Sequence, residues 1–343
     1  MRAVMFPEFG ALPDLVEVPA PELAPTGAII GVKATGVCRS DWHGWMGHDD
    51  GIRLPHVPGH ELAGVVEAVG SSVRRWRVGD RVTVPFICAC GRCEQCSAGN
   101  HQVCDHQQQP GFTQWGSFAE SVAIVEADVN LIALPNAIDF VSAAALGCRF
   151  ATAYRAVMAQ GRVQPGEWVA VHGCGGVGLS AIMIAVAAGA RVVGVDVSPA
   201  SLELASRLGA ETIVGTGDVA SAIRELTDGG AHLSLDAYGS TVTAVNSVRS
   251  LRKRGRHVQV GLMTGEHSAP PIPMDLVVAN ELELLGSHGM AAHEYPAMLA
   301  AIASGRIDPQ LLVGRTISLD EAPAALAGMD ANPHPGMTVI RLP

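Results

Sequence analysis

A glycine-rich turn between a strand and a helix does most to limit what this chain can become. Gly173-Cys174-Gly175-Gly176-Val177-Gly178 fits G-x-G-x-x-G. It follows the apolar run EWVAVHG, expected to be a short buried strand, and opens an Ala/Ile-rich helix expected over Val177 to Ala188. In that setting the first glycine permits a tight turn and the second lets backbone approach a pyrophosphate. The third allows close helix–strand packing, and the helix N-terminus favours the anion. Without a bound dinucleotide the same turn would serve a purely structural βαβ unit. Asp196 ends the next strand, RVVGVD, eighteen residues past Gly178. A carboxylate there accepts hydrogen bonds from an adenosine ribose and repels a 2′-phosphate. Val197 and Ser198 bring no arginine to welcome one, so the pattern favours NAD over NADP.

The rhythm continues through SPASLELASRLGA, TIVG, SAIRELT, HLSLDA, TAVNSVRSL, RHVQVGL and LELLGS. Strand and helix alternating at this spacing predict a doubly wound parallel sheet of the Rossmann kind, over residues 149–289. Before it the texture is irregular and rich in Gly and Pro. GAIIGVKATG, LAGVVEAVG and DRVTVPF read as short strands bounded by turns, which predicts a mainly β domain with long loops. The tail after residue 290 holds a helical stretch, Tyr295 to Ser304, and a closing strand-like MTVIRLP.

With 343 residues there is room for two domains, and 48% hydrophobic against 16% charged residues describes a well-packed globular chain. The net charge of −10, with basic residues scattered, argues against nucleic acid or an anionic membrane as a partner. MRAVMFPEFG lacks the basic and apolar regions of a secretion signal, so a cytoplasmic protein is expected. The longest apolar stretch, Gly178 to Gly189, is too short to span a bilayer.

Cysteine placement carries the metal chemistry. Cys90, Cys93, Cys96 and Cys104 form C-x2-C-x2-C-x7-C, a lobe of about residues 88–104. Four thiolates on one loop can close a tetrahedron around Zn(II) with no open position, as a structural site requires; disulfides among them are the alternative. Cys88 falls outside the pattern. In GVCRSDWHGW, five chemically active side chains crowd together, and VPGHELAG supplies His60 and Glu61. Cys38, His60 and Cys148 (in LGCRFAT) are candidates for a second site, where two thiolates and an imidazole leave a fourth position for water or substrate.

C-R-S-D-x-H, then G-H-E, then the four-Cys lobe, then G-C ahead of G-x-G-G-V-G resembles, in order and over essentially the full length, the zinc-dependent medium-chain alcohol dehydrogenases. The resemblance implies a GroES-like catalytic domain, residues 1–148 plus 290–343, paired with the Rossmann domain. It implies two Zn(II) per chain, one held by Cys38, His60 and Cys148 and one by the four-Cys lobe. Glu61 matches a carboxylate near the catalytic metal, and Asp41 the acid that orients the histidine ligand. Ser40 matches the hydroxyl that bonds the substrate oxygen, and His43 the far end of the proton relay. Arg39 takes the pyrophosphate-contacting position, Thr152 and Val177 lie near the nicotinamide, and Trp45 and Phe86 line the substrate pocket. The implied activity is reversible, NAD-linked oxidation of primary or secondary alcohols by a homotetramer. A reductase of activated double bonds or imines is one alternative, and a non-catalytic protein binding NAD or zinc is the other. Arg149 has no expected role.

Overall fold

A computed structural model of the chain describes residues 1–331 and 336–343, which include every candidate site residue. The chain divides into two units, Met1–Ala151 with Gly289–Pro343, and Thr152–His288.

The second unit is built on a six-stranded parallel sheet. Across it run Glu211–Val214, Arg191–Asp196, Trp168–His172, Ala231–Asp236, Leu251–Gln259 and Glu283–Gly286. Taken in chain order these strands are placed 3-2-1-4-5-6, the doubly wound arrangement in which ligands sit where the order reverses. Trp168–His172 lies at that reversal and is buried at all five positions, as a central parallel strand requires. The helix after the glycine turn runs Gly176–Ala187, and Gly178 to Ala185 are all buried. Its composition is apolar all round because protein covers it on every side. The following helix, Pro199–Arg207, starts where Ser198 accepts from the Ser201 N–H and proline takes the first turn.

One strand departs from the sequence reading. RHVQVGL suggests a start at Arg256, but pairing begins at Leu251. Ala231 faces Leu251 while Leu233 faces Arg256, so three extra residues bulge out between those pairs. The bulge is Arg- and Lys-rich and includes Arg254 at φ 61°, which is why no strand periodicity marks it.

The first unit centres on a seven-stranded sheet. Val313–Ile317, Met337–Arg341, Ala28–Val37, Glu61–Val69, Arg81–Thr83 and Ile132–Ala133 lie side by side, and Ser121–Ile124 also pairs with Ala28–Val37. The strand Ala28–Val37 is buried at nine of its ten positions, because partners flank it on both edges. The last two strands in the chain thus complete a sheet begun near its start. Among the described residues no helix is long and apolar enough to cross a membrane.

Candidate active site

Three separate segments of the first unit converge on one cluster. Cys38 ends the buried central region of the sheet and precedes the short helix Arg39–Trp45. His60 immediately precedes the strand Glu61–Val69, and Cys148 sits in a π-helical turn, Leu146–Phe150. Such wide turns recur at functional sites because they break the regular helix ladder. The ligand atoms of Cys38, His60, Glu61 and Cys148 all lie within 4.8 Å of one another.

Asp41 holds this geometry. It is 1% exposed, and its Oδ1 accepts from His60 Nδ1 at 2.8 Å and from the Gly59 N–H at 3.1 Å. Its Oδ2 accepts from the Cys38 N–H at 2.8 Å. Bonding to a carboxylate places the His60 proton on Nδ1, which leaves the Nε2 lone pair for a metal. His60 Nε2 is buried with no hydrogen-bond partner, which is costly for a polar atom that has nothing to bind. An imidazole nitrogen so oriented beside two thiols fits zinc, whose ligands are nitrogen and sulfur.

The charges agree. A hydrogen bond from Cys148 comes first in holding the Cys38 thiol well below its usual value; burial opposes it, while His60 and Arg149 reinforce it. For His60, burial works against the charged form, but Asp41 overcomes it and raises the group well above the ordinary histidine range.

Glu61 is fully buried, and burial pushes its carboxyl upward while Arg149 pulls it down. Its Oε1 accepts from the Arg149 backbone N–H and from Arg149 Nε, both at 3.0 Å, and its Oε2 accepts from the second guanidinium nitrogen. That bidentate ion pair gives Arg149 the partner that sequence spacing does not supply. Tyr295, 0% exposed, donates its hydroxyl to the Gly147 carbonyl at 3.2 Å and so braces the turn carrying Cys148 from the returning segment.

Around the cluster, Ser40 Oγ lies 3.8 Å from Cys38 Sγ. Phe86 meets the His60 ring edge-on at 6.1 Å. Phe112, which no motif marks, stands closer at 5.1 Å. Trp45, expected as a pocket wall, packs in the same core cluster as Phe112, its indole N–H donating to the Ala11 carbonyl at 2.6 Å. Arg39 extends to Asp330 at 2.7 Å and stacks its guanidinium over Trp42. His43 Nδ1 lies 3.0 Å from His48 Nδ1, a neighbour the motifs do not mark.

Cys90, Cys93, Cys96 and Cys104 form their own small cluster. All eight cysteines are free thiols, so the disulfide alternative does not hold. Sulfur separations are 3.4 Å for Cys93–Cys96, 3.8 Å for Cys93–Cys104 and 4.0 Å for Cys90–Cys96. A tetrahedron with Zn–S bonds of about 2.3 Å has edges of about 3.8 Å, so these thiols are spaced for that ion. Backbone N–H groups of Cys90, Cys96 and His106 point at the sulfurs and compensate thiolate charge. Cys88 lies outside this set: it is a core thiol, pushed up to about 12 by burial.

In the second unit the glycine turn is shaped for a dinucleotide. Gly173 has φ +93°, and a Cβ on Gly178 would lie 1.8 Å from the Gly173 carbonyl oxygen. A Cβ on Gly175 would meet nothing within 4 Å, so the space above it is open for a ligand. Asp196 Oδ2 accepts from the Cys174 N–H at 2.7 Å and Oδ1 from the Ser198 N–H at 2.8 Å. A carboxylate offers about four acceptor positions, so lone pairs remain for ribose hydroxyls. Thr152 is buried and Val177 half-buried at the start of its helix.

Comparison with known proteins agrees with both units. Residues 24–136 match the model of the alcohol dehydrogenase GroES-like domain, and residues 176–304 that of the zinc-binding dehydrogenases. An alcohol dehydrogenase of Geobacillus stearothermophilus is 35% identical over 313 residues, 90% of each chain. An NAD-dependent alcohol dehydrogenase of Sulfurisphaera tokodaii is 32% identical, with 96% of each chain covered. The structure of alcohol dehydrogenase TADH from Thermus sp. ATN1 superposes with a TM-score of 0.93 at 33% identity, over 100% of both chains.

Proposed function

The chain belongs to the zinc-dependent medium-chain alcohol dehydrogenase family, and we propose that within it the protein oxidises simple primary or secondary alcohols reversibly, with NAD rather than NADP. In this reading the catalytic domain comprises residues 1–148 plus 290–343, and residues 149–289 bind the dinucleotide. One observation carries it: His60, fixed through Nδ1 by Asp41, offers a buried, unpartnered Nε2 beside the thiols of Cys38 and Cys148. Those three residues would hold a catalytic zinc with one position open, and Cys90, Cys93, Cys96 and Cys104 a second, closed one. Bound zinc supplies Lewis acidity toward the alcohol oxygen, and bound nicotinamide supplies the hydride acceptor.

The chain's own residues do the rest. Asp41 keeps the His60 proton on Nδ1. Ser40, beside Cys38, accepts a hydrogen bond from the alcohol hydroxyl and starts its proton outward. Burial, then Arg39 and His48, lower His43 below the ordinary histidine value, so it is neutral at pH 7 and able to take that proton. Phe86 and Phe112 wall the site with apolar surface and keep water from it. The Asp196 carboxylate favours ribose hydroxyls and repels a 2′-phosphate. A full set of ligands together with a relay favours alcohol oxidation over a reductase of activated double bonds. Assembly as a cytoplasmic homotetramer belongs to the same reading.

The test is nicotinamide reduction by purified protein across primary, secondary, aromatic and polyol alcohols, with NAD and with NADP, before and after chelation. Turnover with NAD that chelation removes and zinc restores is expected. No turnover in zinc-loaded protein shown to bind NAD would overturn the reading.

A further inference from the structure

The helix Arg39–Trp45 ends in a turn that brings an unassigned residue, His48, back onto His43. Gly47, at φ +77°, adopts the left-handed conformation that side chains disfavour. Two backbone bonds close the turn: the His48 N–H donates to the His43 carbonyl at 3.0 Å, and the Gly47 N–H to the Gly44 carbonyl at 3.1 Å. This six-to-one and five-to-two pairing is the Schellman motif, in which the residue after the glycine usually packs an apolar side chain on the last helical turn.

Here the contact is polar. His43 Nδ1 and His48 Nδ1 stand 3.0 Å apart, with ring centroids at 5.3 Å. Trp42 meets both rings edge-on, at 5.1 and 5.8 Å, and so restrains them. Two ring nitrogens at this distance share one proton, one donating and the other accepting. His43 is half-buried and His48 exposed, so water solvates a positive charge better on His48.

We propose that His48 is a positioning residue for the dehydrogenase reaction, which fixes the proton-bearing nitrogen of His43 and passes its proton to water. The inference rests on the reading above, in which His43 ends the proton path. Before transfer, His43 carries its proton on Nδ1 and donates it to the lone pair of His48 Nδ1. A proton arriving at His43 Nε2 makes that ring cationic. The Nδ1 proton then moves to His48 Nδ1, and His48 releases its Nε2 proton to water. One proton enters and one leaves with no change of oxidation state, and the pair, left in the opposite tautomers, is reset by proton exchange with water at the two Nε2 atoms. The charged groups that act on His43 are consistent with onward transfer. Burial, Arg39 and His48 disfavour its cation, while Cys38 and Asp330 favour it more weakly. Asp49 and Asp50 follow His48 in the chain, and Asp49 Oδ1 accepts from the Gly51 N–H at 2.8 Å.

His48→Leu tests this, because leucine supplies the apolar contact that the motif normally uses and leaves the turn intact. In the wild-type protein labelled with ¹⁵N-histidine, His43 should carry its proton on Nδ1 at pH 7, hydrogen-bonded to His48 Nδ1. In His48→Leu, His43 should lose its Nδ1–H preference. Alcohol oxidation at pH 7 should fall about tenfold in kcat with KM unchanged, less than the 10²–10⁴-fold typical of losing a general base itself. His48→Gln, which can hydrogen-bond but not relay, should restore the tautomer and not the rate. A wild-type His43 that carries its proton on Nε2, or a His48→Leu pH profile that superimposes on the wild type, overturns the inference and leaves the dehydrogenase reading standing. Absence of alcohol turnover in the wild-type protein overturns both.

Discussion

The two cysteine clusters of the first unit are built in opposite ways. Cys90, Cys93, Cys96 and Cys104 come from a single loop, use one donor type and receive backbone N–H groups from that same loop. Cys38, His60 and Cys148 come from three distant segments, mix sulfur with nitrogen, and are oriented by groups that belong to the wider fold. A closed local site needs only its own loop, and its metal contributes stability. A site with an open position must be held from outside, and in the proposed reading Asp41, Arg149, Glu61 and Tyr295 do so.

Three changes probe that contrast, and a fourth sets the second unit beside it. The largest effect is expected for His60→Ala, which removes the oriented nitrogen: kcat should drop at least about 10⁴-fold, or about 5.4 kcal/mol of barrier, while NAD binding persists. Turnover near wild-type level in a stopped assay would break the contrast at its root. Next comes Arg149→Met, which leaves Glu61 buried without its guanidinium. Chemical denaturation should show a loss of about 3–5 kcal/mol, most of it recovered when Glu61→Gln is added. A change confined to activity would show that the ion pair is not structural support.

Asp41→Asn should weaken zinc at the distributed site about 10–100-fold, with the four-Cys site unaffected; competition with a chelator measures both. The smallest effect concerns the second unit. Burial lowers His172 to about 3 and His257 to about 4. Both lie below the ordinary value of about 6.5, so the unfolded chain binds protons first and stability falls as pH drops through that value. At pH 6 the loss is about 1 kcal/mol for each, because native values so far below leave the unfolded value to set its size. Denaturation midpoints that agree at pH 7.5 and pH 6 would contradict this.

Local patterns were legible in the sequence and distant partnerships were not. The glycine turn, the alternation of strand and helix, and the four-Cys spacing each lie within a few residues, and each is present where the pattern put it. The strand from Leu251 was hidden because its first half is a charged bulge without alternation. Arg149 could not be placed, since its partner Glu61 stands 88 positions earlier in the chain. Phe112 reaches His60 from a loop that no motif marks. His48 did leave a trace, in the glycine just past the end of a short helix, because such a glycine folds its successor back onto the last turn.

Zinc analysis of three proteins tests the central claim most directly: the wild type, His60→Ala and Cys96→Ser, each with its alcohol turnover measured. Two zinc ions per wild-type chain and one in each variant are predicted. His60→Ala should remain folded and inactive, and Cys96→Ser should lose stability while its remaining folded fraction still turns over. A wild-type chain holding fewer than two ions, or variants that lose the same one, would contradict the division into an open catalytic site and a closed structural one.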